Sequence, residues 1–335
     1  GLLEDFATLV SRTGMPVATT LLGKTVISEL DPCAIGVYEG AISRPEVRHV
    51  IEGADVLLCL GAWMSEMDLG VYTAHLDERR MINANSGRVR IRHHVFEPII
   101  LGDLLRRLTE RLSPGSVRRG PFVPVADTLR NDVASEPDRP LTVRGLFARI
   151  NRLLTDDTIV IADAGDALFS SAELVMHREA EFVGQAFYLS IGYSIPAALG
   201  VQMAAPERRV IAIVGDGAFQ MTAQELSTII RHRLNLTIFV LNNAGYTTER
   251  LIHEGPYNDI QPWEFHKLPE VFGGGLGLRV RTEGELDGAL DRAAAYSAGP
   301  VLIEVMLDNR DSSEQLKRLC AEIGRKDISN AGRQG

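Results

Sequence analysis

From about residue 140 onward, short continuous apolar runs alternate with segments of helical period, and this restricts the fold more than any other feature of the chain. Apolar runs at 158–162, 209–215, 236–242 and 300–305 are too short and too β-branched for helices. The segments at 142–154, 196–203, 222–233 and 283–297 repeat their apolar residues every three or four positions. A further short strand is expected at 278–281. A strand such as 210–214, apolar at every position, has no face to turn to water. It therefore belongs to a parallel sheet covered on both sides by helices, with its ligand crevice outside the carboxyl ends of the strands.

The first part of the chain repeats the theme less regularly. Helices are expected at 2–12, 45–52 and 101–112, and strands at 17–21 and 54–60. Pro114, Gly115, Gly120, Pro121, Pro124, Pro137 and Pro140 then break every period, so 113–140 reads as a linker. The expectation is an α/β protein of two domains, 1–112 and 141–335, each a mainly parallel sheet flanked by helices. A length of 335 residues and a hydrophobic fraction of 45% are enough for two cores.

Charge and cysteine usage narrow the function. A net charge of -9 opposes binding to a phosphate backbone, and the basic runs at 88–94 and Arg118-Arg119 are short enough to be solvated surface. Cys33, Cys59 and Cys320 lack the spacing of a metal or redox site, which suggests a reduced compartment. No apolar stretch reaches the roughly 20 residues of a membrane span, and no signal-peptide pattern opens the sequence. A cytoplasmic protein without nucleic-acid or membrane partners is expected.

The chemistry concentrates after two neighbouring strands. Gly215-Asp216-Gly217 ends the strand at 209–215 and opens a helix, a place where free N–H groups and the helix dipole favour a phosphate. Gly217 permits close approach of the backbone, and Asp216 is placed to hold magnesium against phosphate oxygens. Taken alone, an Asp-Gly after a strand is more often a plain turn. The next strand, however, ends in Asn242-Asn243-Ala244-Gly245-Tyr246, after the 24 residues from Ala218 to Leu241 that make one helix and one strand. Sequential parallel strands usually lie close together, so Asp216, the Asn243 side chain and the Gly245 carbonyl can converge on one ion.

This pattern, continued through Thr247-Thr248-Glu249, Leu251-Ile252-His253 and Gly255-Pro256-Tyr257-Asn258-Asp259-Ile260, resembles the thiamine-diphosphate-dependent 2-oxo-acid decarboxylases of the pyruvate and indolepyruvate type. The likeness covers nearly all of 163–308, and 1–112 resembles, more loosely, the middle domain of the same enzymes. It implies thiamine diphosphate and Mg2+ as cofactors, with Asp216, Asn243 and Gly245 as metal ligands. It also implies that Gly215, Gly217, Ala218 and Tyr246 line the diphosphate site and that Gly165-Asp166 form a second phosphate-contacting turn. Ala164 stands where relatives often have Thr. Ile191 matches the aliphatic residue that wedges between the two cofactor rings; the plain alternative is a core isoleucine. Glu249 matches the carboxylate that serves proton transfer; locally it is also an ordinary charge of a first helical turn. Thr248 and Ile252 match positions of the substrate pocket. His93-His94 lies outside the segment in which such enzymes have a catalytic His pair and reads as surface, and His253 reads as a local hydrogen-bonding residue.

The resemblance implies non-oxidative decarboxylation of a 2-oxo acid of the pyruvate, indolepyruvate or phenylpyruvate type to an aldehyde. Such enzymes are homo-oligomers, here a dimer or tetramer, in which a pyrimidine-binding domain supplies an activating Glu. The sequence contains no match to that domain, so this chain is expected to be inactive alone and to be completed by another chain or an N-terminal region. Acetolactate-synthase-like carboligation and a non-catalytic cofactor-binding fragment are the alternatives. A dinucleotide-binding oxidoreductase is set aside because Leu60-Gly61-Ala62-Trp63 lacks the glycine fingerprint.

Overall fold

Successive strand residues in the second half of the chain turn to opposite sides of one sheet, and both sides are buried. The computed structural model describes residues 1–115, 117, 120–129 and 136–331, with side chains to Arg325. The chain forms two compact units, Gly1–Leu129 and Arg130–Gly335. Arg118-Arg119 and part of the 113–140 segment lie outside the described residues.

The second unit runs α5 (Val143–Leu153), β7 (Thr158–Ala162), α6 (Asp166–Ser171), β8 (Glu181–Gly184), α7 (Ser194–Ala204), β9 (Arg209–Gly215), α8 (Asp216–Thr222), α9 (Glu225–Arg231) and β10 (Leu236–Asn242). It continues through α10 (Thr247–Ile252), α11 (Leu268–Val271), β11 (Leu276–Val280), α12 (Glu283–Ala295), β12 (Val301–Met306) and α13 (Glu314–Ala331). All six strands are parallel, in the order β11-β12-β10-β9-β7-β8. Val160, Ile211, Ile213 and Phe239 pack with Leu146 and Ile150 of α5 and Leu286 of α12. The intervening Ile161, Val210, Ala212 and Ile238 pack with Ile195 of α7, Phe219 of α8 and Leu226 of α9. Two buried faces are the reason these strands read as unbroken apolar runs. Thr142 and Thr282 cap α5 and α12 by accepting from the N–H groups of Gly145 and Glu285.

The order of strands places a switch point between β7 and β9, because the chain leaves β7 for the β8 edge and returns to the other side. In a doubly wound sheet the ligand crevice opens at such a point. The helix expected at 222–233 is two helices, α8 beginning at Asp216 itself and α9, joined by i→i−3 turns at Ala223 and Gln224. β8, with Glu181 and Gly184 at its ends, is an edge strand without a continuous apolar run, and the sequence pattern misses it.

The first unit contains α1 (Leu2–Thr13), β1 (Val17–Thr19), β2 (Ala34–Val37), α2 (Pro45–Glu52), β3 (Leu57–Leu60), β4 (Met81–Asn85), β5 (Arg88–Ile91), β6 (His94–Phe96), α3 (Leu101–Arg111) and α4 (Val125–Leu129). β1 and β2 form a parallel pair, while β3-β4-β5-β6 form a mixed sheet whose last two ladders are antiparallel. The sheet of this unit is thus less parallel than expected, because Ser86-Gly87, both at positive φ, close a two-residue hairpin at the end of β4. The basic run at 88–94 is that hairpin surface, and His93 and His94 are exposed on it. α4 falls within 113–140 and packs Val125 beside Ala34 of β2. Among the described residues no helix is long and apolar enough to cross a membrane, and Cys33, Cys59 and Cys320 are buried free thiols.

Candidate active site

Three strand ends lie side by side in the second unit. Parallel pairing brings Ala162 level with Ile213 and Gly215 level with Leu241, so the turns after β7, β9 and β10 emerge side by side. Asp216 is the first residue of α8 and 1% exposed. Its Oδ1 accepts from the Gly217 N–H at 2.7 Å and its Oδ2 from the Gly245 N–H at 3.1 Å, so the carboxylate bridges the β9 and β10 turns. Burial pushes this carboxyl up to about 6, against backbone N–H groups of Gly217, Gly245, Ala244 and Asn243 that pull it down. A buried carboxylate supported only by backbone dipoles lacks a counter-ion, and a cation would supply one.

The two asparagines have different jobs. Asn242 donates from Nδ2 to Oε1 of the fully buried Glu304 at 2.7 Å, and its own Oδ1 accepts from the Ala244 N–H at 3.3 Å. Asn243 Oδ1 is buried and has no hydrogen-bond partner among the described residues. A buried acceptor without a protein partner beside a buried carboxylate can serve as a ligand oxygen. The Gly245 carbonyl accepts from the Thr247 N–H at 3.1 Å, which leaves one of its two lone pairs. One carboxylate, one amide oxygen and one backbone carbonyl are the kind of oxygen donors that suit magnesium. Groups of three His, Cys, Asp or Glu side chains able to hold a metal are absent among the described residues.

The glycines are there for space. A Cβ on Gly217 would stand 2.5 Å from the Tyr246 ring, so that ring packs directly on the turn after β9. Gly245 has φ +142, and a Cβ there would meet the Asn258 carbonyl at 2.2 Å and Arg250 Nη2 at 2.7 Å. Gly215 and the buried Ala218 complete the turn around Asp216.

From β7, Gly165 adopts φ +94 and faces the Thr248 hydroxyl, which would lie 3.7 Å from a Cβ added there. Asp166 accepts from the Ser313 N–H at 3.0 Å through Oδ2 and from the Ser170 hydroxyl at 3.2 Å through Oδ1. Its carboxylate is occupied within the fold, so what this turn can offer a phosphate is backbone. Ala164 is buried, without a hydroxyl to contribute. Ile191 is 40% exposed and stands on a loop, not in the core. Glu249 is exposed on α10, while Thr248 and Ile252 are half-buried. His253 pairs its ring Nδ1 with the Tyr257 hydroxyl, a local bond.

Two supports of the site's loops carry no role in the sequence reading. Asp163, fully buried at the end of β7, accepts from the N–H groups of Gly192 at 3.0 Å and Ser194 at 2.8 Å and so fixes the loop that carries Ile191. The Thr222 hydroxyl holds the same loop from α8, donating to the Gly192 carbonyl at 2.9 Å. Arg250 is buried behind the asparagine loop and donates to the carbonyls of Asn243 at 3.3 Å and Ala244 at 2.8 Å. Spacing alone gives no sign of either, since both act through backbone groups brought close only by folding.

Comparison with known proteins gives the family. Residues 163–305 match the family model described as thiamine pyrophosphate enzyme, C-terminal TPP binding domain, and residues 1–110 the model described as thiamine pyrophosphate enzyme, central domain. Among curated relatives, a protein of Mycolicibacterium paratuberculosis named alpha-keto-acid decarboxylase is 37% identical over 328 residues, 96% of this chain and 57% of the relative. Proteins of the same name from Mycobacterium tuberculosis and Mycobacterium leprae are 35% and 36% identical, over 96% and 95% of this chain and 58% and 56% of their own lengths. The chain thus spans little more than half the length of the relatives it matches.

Proposed function

This chain belongs to the thiamine pyrophosphate enzymes, and on that premise we propose that it is the central and diphosphate-binding part of a 2-oxo-acid decarboxylase that works with thiamine diphosphate and Mg2+. The observation that carries the reading is the buried, unpartnered Asn243 Oδ1 beside a buried Asp216 carboxylate. Relatives named alpha-keto-acid decarboxylase support the reaction class.

Asp216, Asn243 and the Gly245 carbonyl hold the metal. The Gly217-Ala218 turn at the start of α8 and the Gly165-Asp166 turn would offer backbone N–H groups to the diphosphate, that of Gly217 by turning from Asp216 Oδ1. Gly215 and Tyr246 shape the floor, with the Tyr246 ring seated on Gly217. Ile191, on a loop locked by Asp163, would stand against the bound cofactor. When bound, thiamine diphosphate supplies the electron sink that lets carbon dioxide leave a 2-oxo acid so that an aldehyde is released. Glu249 delivers and removes protons at the reacting carbon, and Thr248 and Ile252 bound the substrate.

The same reading includes a pyrimidine-binding domain outside these residues, from another chain or another region, and a homo-oligomeric enzyme. Its support is that both matched families are described as the central and C-terminal parts of such enzymes. Titration calorimetry with thiamine diphosphate and Mg2+ tests the metal assignment. Heat of binding that depends on the metal is expected for the native chain and is lost in Asp216→Ala. Equal affinity of the two proteins would overturn the assignment.

A further inference from the structure

β12 is apolar at Val301, Leu302, Ile303 and Val305, yet in their midst it carries Glu304 at 0% exposure. A carboxylate is almost never buried to that extent unless it is paired. Glu304 is level with Val240 on the neighbouring β10, and Asn242 follows two residues on, so the two side chains stand on one side of the sheet.

The donors around this carboxylate divide unevenly. Oε2 takes the Arg279 Nε at 3.0 Å, the His266 N–H at 3.2 Å and the His266 ring Nδ1 at 2.5 Å. Oε1 faces Asn242 Nδ2 at 2.7 Å. Burial opposes the charge, but the bonds from Arg279 and His266 outweigh it and hold the carboxyl below the ordinary carboxylate range. An ionised carboxylate accepts at both oxygens and donates at neither. Asn242 must therefore turn its NH2 end to Glu304, which leaves its oxygen for the loop that follows.

That orientation matters because of how the loop is built. Ala244 stands at φ 59, a left-handed conformation that alanine rarely adopts, and Asn242 Oδ1 accepts its N–H at 3.3 Å. On either side of Ala244 the loop carries Asn243 and Gly245, whose N–H donates to Asp216 Oδ2 at 3.1 Å. With the Asn242 amide reversed, its NH2 would meet the Ala244 N–H, donor against donor, and the turn would lose a bond that holds it.

We propose that Glu304 is a positioning residue for the metal loop: by accepting at Oε1 it fixes which end of the Asn242 amide faces Ala244, and so holds Asn243 Oδ1 and the Gly245 carbonyl in place. The inference rests on the reading of Asn243 as a metal ligand.

Glu304→Gln separates this role from plain packing. Arg279 Nε and the His266 N–H are donors that cannot become acceptors, so a glutamine turns its oxygen to them and its NH2 to Asn242, which then has to reverse. The double variant Glu304→Gln with Asn242→Asp exchanges acid and amide at unchanged net charge, and the carboxylate now in the loop accepts from the glutamine and from the Ala244 N–H alike. Amide exchange at Ala244 and Gly245, read without cofactor, and metal-dependent binding of thiamine diphosphate, read by calorimetry, are measured on the native chain and on both variants. In Glu304→Gln the two amides should exchange about tenfold faster and the affinity should fall about 10–100-fold, and the double variant should bring both back to within about threefold of the native chain. Amides of β7 report that the unit is folded. A native chain without metal-dependent binding would sink the metal reading, while loop exchange still decides the orientation. Unchanged loop exchange in folded Glu304→Gln overturns the proposal, as does unchanged affinity where the native chain binds the metal. A double variant that is unfolded, or whose loop exchanges much faster than the native one, overturns it too, and it decides the matter should Glu304→Gln alone not fold.

Discussion

Asn242 and Asn243 are adjacent and chemically identical, yet folding gives the Asn242 side chain a partner and leaves Asn243 Oδ1 without one among the described residues. Asn242→Ala removes a donor to the buried Glu304 carboxylate and is expected to destabilise the second unit by about 1–3 kcal/mol. Asn243→Ala deletes an oxygen that has no hydrogen-bond partner among the described residues, so stability should change little while metal-dependent cofactor affinity falls about 100-fold. Thermal unfolding and calorimetry on both variants check this, and a reversed pattern would exchange the roles. Thr248, held opposite Gly165, gives a third expectation at this scale. If Thr248 bounds the substrate as proposed, a bulkier aliphatic side chain there would narrow the space open to long 2-oxo acids. Thr248→Ile should therefore shift the kcat/KM ratio toward pyruvate over phenylpyruvate by about tenfold, or about 1.4 kcal/mol. An unchanged ratio in the assembled enzyme would remove Thr248 from the pocket.

At the scale of elements, α12 begins with a buried cluster of charges. Glu283 is 1% exposed and takes Arg139 Nε at 2.6 Å, Arg149 Nη2 at 3.0 Å and the Glu136 N–H at 2.9 Å. Burial alone would raise its carboxyl, but the bonds from Arg139, the Glu136 N–H and Arg149 win and hold it at about 2, below the ordinary 4.5. A depressed carboxyl stabilises the fold fully above its unfolded value. The contribution therefore fades as pH falls from about 4.5 through about 2. Glu283→Gln removes one carboxylate from the buried Arg149, which keeps Asp287 at 2.7 Å, and should cost about 1–3 kcal/mol at neutral pH, measured by urea unfolding. The variant should also lose much of the acid sensitivity between those pH values. The strands of this unit were legible because both sheet faces are buried, which makes composition and structure agree at 158–162, 209–215 and 236–242. Edge strand β8 and the split between α8 and α9 were not, because pairing and turn geometry, rather than periodicity, define them.

In the whole molecule, each unit closes a core of its own. Ile150→Ala deletes fully buried atoms of the second core and should cost about 2–5 kcal/mol there. Amide exchange in β7 and β9 should rise, and exchange in β2 should stay as it was; an equal rise in both units would mean that they open as one. The sequence by itself determined the α/β class and the closeness of Asp216 and Asn243, because these depend on local pattern and on the rule that successive parallel strands lie together. Only the tertiary structure decided which asparagine is left without a protein partner, that Asp166 turns its carboxylate to Ser313, and that Asp163 and Arg250 hold the loops of the site. Those outcomes depend on hydrogen bonds to backbone groups far away in sequence. Such groups have no side-chain identity to read, and their positions exist only once the strands are side by side.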